Sequence, residues 1–171
     1  MISVDVAVKS KKWRVEKNIE EFVKKIGEKI ISLTDLGKIL KTHIEVSVSL
    51  VSDQQMKKIN FEFSQKNTAT NVLSFSALDE NLIRKIGIKK AIGASDHLFL
   101  GDIVIAYETL KKEAAEQRKK FADHLTHLLL HSVLHLIGQD HEEEKMAAEM
   151  ENLEIKILKK LGIKNPYQSN S

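Results

Sequence analysis

The sequence predicts an α+β fold, in which a mixed four-stranded sheet is covered by helices. Two observations support this prediction. Four segments have the composition and periodicity of strands, and all of them lie before residue 108. Every segment after that residue has the three- and four-residue apolar spacing of a helix. At 171 residues the chain can bury one real core, so we expect a single domain over 1–171.

The first half of the chain alternates strand and helix. Residues 2–8 are β-branched with a period of roughly two, which predicts the first strand. Apolar residues from 13 to about 33 recur at helical spacing. Residues 43–52 alternate cleanly as a second strand, and Asp53 is then expected to cap a helix over about 54–63.

Two more strands precede the helical half. Residues 70–78 predict the third strand, and 98–107, which are nearly all apolar, predict a fourth that is central in the sheet. Residues 79–97 mix charge with glycine and are expected to form a long excursion.

The C-terminal half is predicted to contain helices at about 108–118, 121–137 and 142–161. Gly162 closes the last of them, and from about residue 163 to 171 we expect a loosely ordered tail.

Composition excludes several function classes. Because the chain has no cysteine, it has no disulfides, no thiolate nucleophile and no cysteine-built zinc site. Its 27 basic and 24 acidic residues give a net charge of +3, which permits binding to nucleic acid without arguing for it. There is neither an apolar run of about 18 residues nor a signal-peptide pattern, so we expect a cytoplasmic protein with no membrane contact.

Four histidines mark one face of the helix predicted over 121–137. At 100° per residue, His124, His127, His131 and His135 fall within an arc of about 80°. The rest of that helix is apolar nearly all round, which is typical of a buried helix. Since each unpaired buried polar group costs roughly 1–3 kcal/mol, four buried imidazoles need a pocket, a metal, or both.

The spacing of three histidines predicts a metal site. His131 and His135 are one helical turn apart, so both imidazoles can reach one ion. Gly138 allows the chain to leave the helix in a left-handed conformation and to bring His141 back as a third ligand. Three neutral imidazoles suit one Zn²⁺ ion and leave a fourth position for water, which the metal converts to hydroxide near neutral pH.

The same spacing, H-x-x-x-H-x-x-G-x-x-H, occurs in metzincin peptidases, but this chain lacks their general base. The catalytic glutamate of those enzymes would fall at Ser132, whose hydroxyl cannot accept a proton from water at neutral pH. A peptidase is therefore disfavoured. Asp140 or Glu142 could still substitute for the missing general base.

The run "HLTHLLLHSVLHLIGQDHEEE" resembles the signature of the YbeY family of bacterial single-strand endoribonucleases. Three further stretches match that family in the same order: "INFEFSQKNTATNVLSF" (59–75), "LGDIVI" (100–105) and "LEIKILKKLGIKNPY" (153–167). The resemblance covers nearly the whole chain and is weakest over the first forty residues and over 79–97.

The resemblance implies a zincin-like fold with its metal site on a buried helix of the C-terminal half. It also implies one Zn²⁺ bound by His131, His135 and His141. The implied substrate is single-stranded ribosomal RNA near the small-subunit 3′ end, and the implied role is rRNA maturation and ribosome quality control. The small ribosomal subunit or its assembly factors would be the partners.

One departure from the family pattern bears on activity. The family's functional arginine is Ser64 here, so the chain lacks a guanidinium that could hold a phosphate bidentately. Lys66 lies at the family's lysine position, and Lys57 or Lys58 could also supply a point charge. We therefore expect weaker or altered ribonuclease activity, or a lysine that fills the role.

Two other residues are candidates for the site. Asp102, in an apolar strand, could orient a zinc-binding histidine or cap a neighbouring backbone. His127 could line the pocket or be a hydrogen-bonded core histidine.

Two rival functions stay open at this point. One is a non-catalytic ribosome-assembly factor that keeps zinc for structure, and the other is a metal-dependent hydrolase of another substrate such as a peptide. The attacking group is also open, because either water or the RNA 2′-hydroxyl could serve.

Overall fold

The computed structural model of the protein describes residues 1–39, 41–66, 70–139 and 143–168. One sheet has the order β1-β2-β4-β3, and its strands are β1 (Ile2–Val8), β2 (His43–Val51), β3 (Val72–Ser76) and β4 (His97–Ala106). β1 pairs with β2 and β2 with β4 in parallel, whereas β3 runs antiparallel to β4. The predicted mixed four-stranded sheet, with the apolar fourth strand inside it, is confirmed.

Helices surround this sheet. They are α1 (Ile19–Leu33), α2 (Asp53–Ser64), α3 (Glu80–Ile86), α4 (Ile88–Ile92), α5 (Tyr107–Glu116), α6 (Phe121–Leu136) and α7 (Glu144–Lys160). The predicted excursion over 79–97 therefore contains two short helices. No helix in the described part of the chain is long and apolar enough to span a membrane.

The first helix begins later than its apolar spacing predicts. Residues Lys11–Val15 form a 3₁₀ turn, and α1 begins only at Ile19. The reason is Trp13, which is fully buried and packs edge-on against Tyr107 and Phe121. Its indole N–H donates to the carbonyl of Val51 at 2.9 Å, so tertiary packing overrides the local helical pattern.

The cap of α2 also differs by one residue. Ser52, not Asp53, is the N-cap, and it forms a capping box with Gln55. Asp53 is the first helical residue, and its carboxylate accepts hydrogen bonds from the backbone N–H and hydroxyl of Thr109 at 3.1 and 2.7 Å. It therefore joins α2 to α5.

The two faces of the sheet carry different layers. Ile103 and Ile105 of β4 belong to the main core, which contains the leucines of α6 and the buried residues of α1. Val104 and Ala106 point to the opposite face and pack with Met56 of α2. As a result α6 lies buried beside the sheet, and β3 is the edge strand nearest to it.

Candidate metal centre

Two of the predicted ligands lie together on α6. The Nε2 atoms of His131 and His135 are 3.0 Å apart, and their ring centroids are separated by 4.6 Å. Both side chains are half-buried on a helix whose other faces are packed into the core. The one-turn spacing thus brings two ring nitrogens to the same point, as the sequence predicts.

These imidazoles line a cleft of about 510 Å³ between α6 and the edge strand β3. One wall consists of residues 70–74 and Ser76, and the other of His127, His131 and His135. Tyr167, from the C-terminal segment, also borders the cleft. The Ser76 hydroxyl donates to the carbonyl of Leu136 at 3.1 Å, which ties β3 to the end of α6.

A buried carboxylate from α7 supports the histidines. The side chain of Glu154 is fully buried. Its Oε1 lies 2.5 Å from Nδ1 of His131, and its Oε2 lies 3.0 Å from Nε2 of His127. The Tyr167 hydroxyl donates to the same Oε2.

Glu154 is held as a carboxylate. Burial alone would raise its pKa, but the hydrogen bonds from His127, His131 and Tyr167 outweigh burial and lower the pKa to about 2. A carboxylate can only accept hydrogen bonds, so Nδ1 of His131 must carry its proton. In neutral His131 the lone pair then resides on Nε2, the atom that faces His135.

This arrangement fits a metal ion. Two nitrogens that bind one tetrahedral Zn²⁺ at 2.0–2.1 Å lie about 3.3 Å apart, close to the 3.0 Å between the two Nε2 atoms. A carboxylate on the second ring nitrogen is the usual support for a metal-binding histidine. Two of the three predicted ligands and a carboxylate that contacts one of them therefore lie close together.

The chain reverses direction after α6. Gly138 has φ +93°, and the Gln139 N–H donates back to the carbonyl of Leu134 at 2.9 Å. A Cβ at Gly138 would lie 2.7 Å from Cγ2 of Ile83, so both backbone conformation and space favour glycine. This is the helix end that the sequence predicts.

The third predicted ligand, His141, lies outside the described residues, as do Asp140 and Glu142. Within the described ranges, no group of three or more histidine, cysteine or acidic side chains could hold a metal. His131 and His135 are thus the described members of the predicted ligand set, and metal binding by these three histidines stays a prediction.

The other two histidines on this face of α6 have different surroundings. His127 lines the cleft and hydrogen-bonds Glu154, so it belongs to the site. His124 is buried, and its Nε2 lies 2.9 Å from a carboxylate oxygen of Glu113. The Asn71 amide donates to the same carboxylate, so His124 helps to join α5, α6 and the start of β3.

Asp102 does not lie with the histidines. It alternates with Val104 and pairs in register with Phe75, which places it on the face of the sheet opposite to α6. Its side chain is exposed there. Glu154 instead is the carboxylate that contacts His131, one of the predicted ligands.

Ser64 and Lys66 are not among the described residues that line the cleft. The Ser64 hydroxyl lies at the end of α2 and donates to the backbone carbonyl and the side-chain oxygen of Asn60, at 2.6 and 2.8 Å. Lys66 is exposed. Any part that Lys66 takes in catalysis stays a prediction.

The helical spacing of α7 could have predicted that Glu154 is buried. Met150, Glu154 and Ile157 follow one another at helical spacing, and all are buried. A charged residue on the apolar face of an amphipathic helix needs a buried partner, and here the partners are histidines.

Residues 163–168 fold back over α6. The Tyr167 ring packs edge-on against His127 with centroids 5.6 Å apart, and Lys119 Nζ donates to the carbonyl of Pro166 at 3.1 Å. These contacts place residues 163–168 against α6, and the looseness predicted for the tail stays a prediction. Residues 169–171 lie outside the described residues.

The model of one protein family, Endoribonuclease YbeY, matches residues 5–162. The chain belongs to the YbeY family. The Endoribonuclease YbeY proteins of Bartonella henselae and Agrobacterium fabrum are 40% and 38% identical to it. The first alignment covers 98% of both chains, and the second covers 97% of this chain and 95% of the relative. The predicted resemblance to the YbeY family is confirmed.

A solved structure supports the fold of this YbeY-family chain. The solution structure of TM1509 from Thermotoga maritima superposes with a TM-score of 0.50 at 21% identity, and it covers 98% of this chain and 97% of that one. At this identity the likeness shows the fold alone.

Replacing Tyr167 by phenylalanine tests how the C-terminal segment supports the site. Burial and the neighbouring Glu154 carboxylate raise the pKa of the Tyr167 phenol, so it stays a hydrogen-bond donor at all physiological pH values. We expect Tyr167→Phe to lower metal affinity by about 2- to 10-fold, because Glu154 loses one of three donors. Competition with a metal chelator measures this change, and unchanged affinity would assign Tyr167 to packing only.

Proposed function

We propose that the chain is a metal-dependent endoribonuclease that cleaves single-stranded ribosomal RNA near the 3′ end of the small-subunit rRNA, in the cytoplasm. The observation that carries this proposal is the pair of convergent imidazoles at His131 and His135, supported by Glu154. Relatives that align over nearly the whole chain are named Endoribonuclease YbeY. The small ribosomal subunit or its assembly factors are the proposed partners.

The site residues have different parts in this proposal. His131 and His135, with His141, are the proposed ligands of one Zn²⁺. Glu154 holds the ring of His131 in one tautomer and one orientation. A bound Zn²⁺ would act as a Lewis acid on the phosphate and lower the pKa of water.

The shape of the cleft supports a single-stranded substrate. It is bounded by an edge strand on one side and by a buried helix on the other. A cleft of about 510 Å³ is of the size that takes one small ligand or a short piece of a chain. An A-form duplex presents its phosphates on a far wider surface, so an unpaired strand is the better match.

The experiment that tests this function compares three substrates with the purified protein. A labelled single-stranded RNA should be cleaved, whereas the same sequence in a duplex and casein should stay intact. A terminal cyclic phosphate on the product would assign the attack to the 2′-hydroxyl, whereas cleavage of an RNA with 2′-O-methyl riboses would assign it to water. Cleavage of casein without cleavage of RNA would overturn the proposal.

Replacing Ser64 by arginine should raise the activity. Ser64 is exposed at the C-terminal end of α2, where a cation is favoured and a long side chain has room. The guanidinium would restore bidentate phosphate binding, so we expect kcat/KM on single-stranded RNA to rise about 10-fold or more.

Two further variants make this result specific. Ser64→Lys adds the positive charge without a guanidinium that can bind phosphate bidentately, so it should raise kcat/KM by less. Lys66→Ala should lower activity in the natural chain if that lysine supplies the missing charge. A Ser64→Arg chain no more active than the natural one would contradict the role given to this position.

A further inference from the structure

A second cavity opens beside the cleft. It has a volume of about 600 Å³ and lies between the α5–α6 turn and the C-terminal segment. Its cationic residues, named here the basic groove, are Arg118, Lys119, Lys120 and Lys164. Asp123 is the carboxylate among the described lining residues. The basic groove therefore has an excess of positive charge, which suits an anion.

The basic groove adjoins the cleft. His127 lines both cavities. Tyr167 borders the cleft, and its neighbours Pro166 and Gln168 border the basic groove, so the same chain segment forms a wall of each. Along α6, Lys120 lies about 10 Å before His127 and about 16 Å before His131. A strand bound at His131 would reach the basic groove within a few nucleotides.

The described part of the cleft wall offers no lysine or arginine side chain, whereas Glu80 contributes a carboxylate. Each nucleotide of a bound strand brings a phosphate charge that must be neutralised. A metal ion can act on the phosphate at the histidines only, so phosphates further along need another cation.

The cations of the basic groove are available for this purpose. Arg118, Lys120 and Lys164 are exposed, and no described carboxylate forms an ion pair with any of them. Lys119 is half-buried and donates to the carbonyl of Pro166, so it also fixes the wall of the basic groove.

Arg118 occupies a position that favours glycine. It follows the C-cap of α5 with φ +53°, and the N–H of Lys119 donates back to the carbonyl of Ala114 at 2.9 Å. Helices commonly end in this way with glycine at the left-handed residue. A side chain other than glycine, asparagine or aspartate is strained there, so the arginine is present against the local backbone preference.

We propose that the basic groove binds backbone phosphates of the single-stranded RNA whose scissile phosphate lies at His131 and His135. This inference rests on the proposed function, because the reaction proposed for the cleft is what identifies the ligand as single-stranded RNA. Binding in the basic groove is sequence-independent, since it reads phosphates and not bases. It holds the substrate a few nucleotides away from the reacting centre.

The probe for binding is a fluorescein-labelled single-stranded RNA of about 12 nucleotides with 2′-O-methyl riboses, chosen to slow its cleavage. Arg118→Gly should weaken binding by about 3- to 10-fold and reduce the slope of log Kd against log salt by about 0.7. Its melting temperature should not fall, because glycine relieves the strained backbone. If the melting temperature does not fall, lost binding in Arg118→Gly does not come from misfolding.

A matched pair of double variants controls for net charge. Lys120→Ala/Lys164→Ala should reduce the salt slope by about 1.4, twice the change for one contact. Lys24→Ala/Lys29→Ala removes the same charge from the exposed side of α1 and should leave the slope unchanged. Equal slopes for the natural chain and both groove variants would overturn the proposal and leave the basic groove to another ligand, such as an acidic protein segment.

Cleavage kinetics separate this inference from the proposed function. With RNAs of about 12 and about 4 nucleotides, the groove variants should raise KM for the long substrate only and leave kcat unchanged. A protein that cleaves neither RNA but shows the expected slopes contradicts the proposed function and supports the basic groove. Cleavage with equal KM values in natural and variant chains overturns the basic groove alone.

Discussion

Replacing His135 by alanine is expected to abolish RNA cleavage and to release the metal. The Nε2 of His135 is one of the two described nitrogens that converge at the cleft, and its loss leaves His131 without its neighbour at 3.0 Å. Metal ions stabilise developing charge by several kcal/mol, so kcat should fall by about 10³-fold or more. Elemental analysis of the purified variant measures the metal, and single-turnover cleavage measures the rate.

His97→Ala is the matched control for that variant. It removes an exposed imidazole at the start of β4, where His97 pairs with Glu45 at 2.9 Å and is not among the described residues that line the cleft. It should keep both metal and activity. If His135→Ala cleaved RNA as fast as His97→Ala, the assignment of the site to α6 would be wrong.

Replacing Glu154 by glutamine is expected to have the second-largest effect. Glutamine keeps the volume of the buried side chain but removes its charge, and its amide nitrogen presents a donor where the carboxylate accepts. We expect metal affinity and kcat/KM each to fall by about 10- to 100-fold, because the ring of His131 loses its fixed tautomer and orientation.

Metal affinity, activity and melting temperature together show whether Glu154 positions His131 or only stabilises the fold. Glu149→Gln, at an exposed position on the same helix, is the control and should change neither quantity. Raising the Zn²⁺ concentration should restore much of the activity of Glu154→Gln, since the ligands themselves remain. A variant that binds metal normally and only melts at a lower temperature would assign Glu154 to stability alone.

Much of the fold followed from local patterns. The period-two alternation in β2 and the apolar run of β4 predicted their places in the sheet. The one-turn spacing of His131 and His135 predicted that they share a point, because helix geometry is local. The positive φ of Gly138 was likewise expected, since His141 can serve as the predicted third ligand only if the chain reverses there.

Other features depend on contacts between distant segments. Glu154 reaches His131 only because α7 packs on α6, and no spacing in the sequence connects the two residues. Asp102 is the opposite case. Its polar side chain in an apolar strand made it a candidate for the site, but strand alternation places it on the other face of the sheet. The start of α1 was misplaced for a related reason, since Trp13 finds its partners on α5 and α6.

The measurement that tests the central claim most directly is metal removal and return in one preparation. Purified protein should contain one Zn²⁺ per chain, cleave single-stranded RNA, lose cleavage after dialysis against a chelator, and regain it on addition of Zn²⁺. Circular dichroism after chelation should show that the helices persist. Cleavage that survives complete removal of metal, or a preparation that neither binds metal nor cleaves RNA, would contradict a metal-dependent endoribonuclease built on His131 and His135.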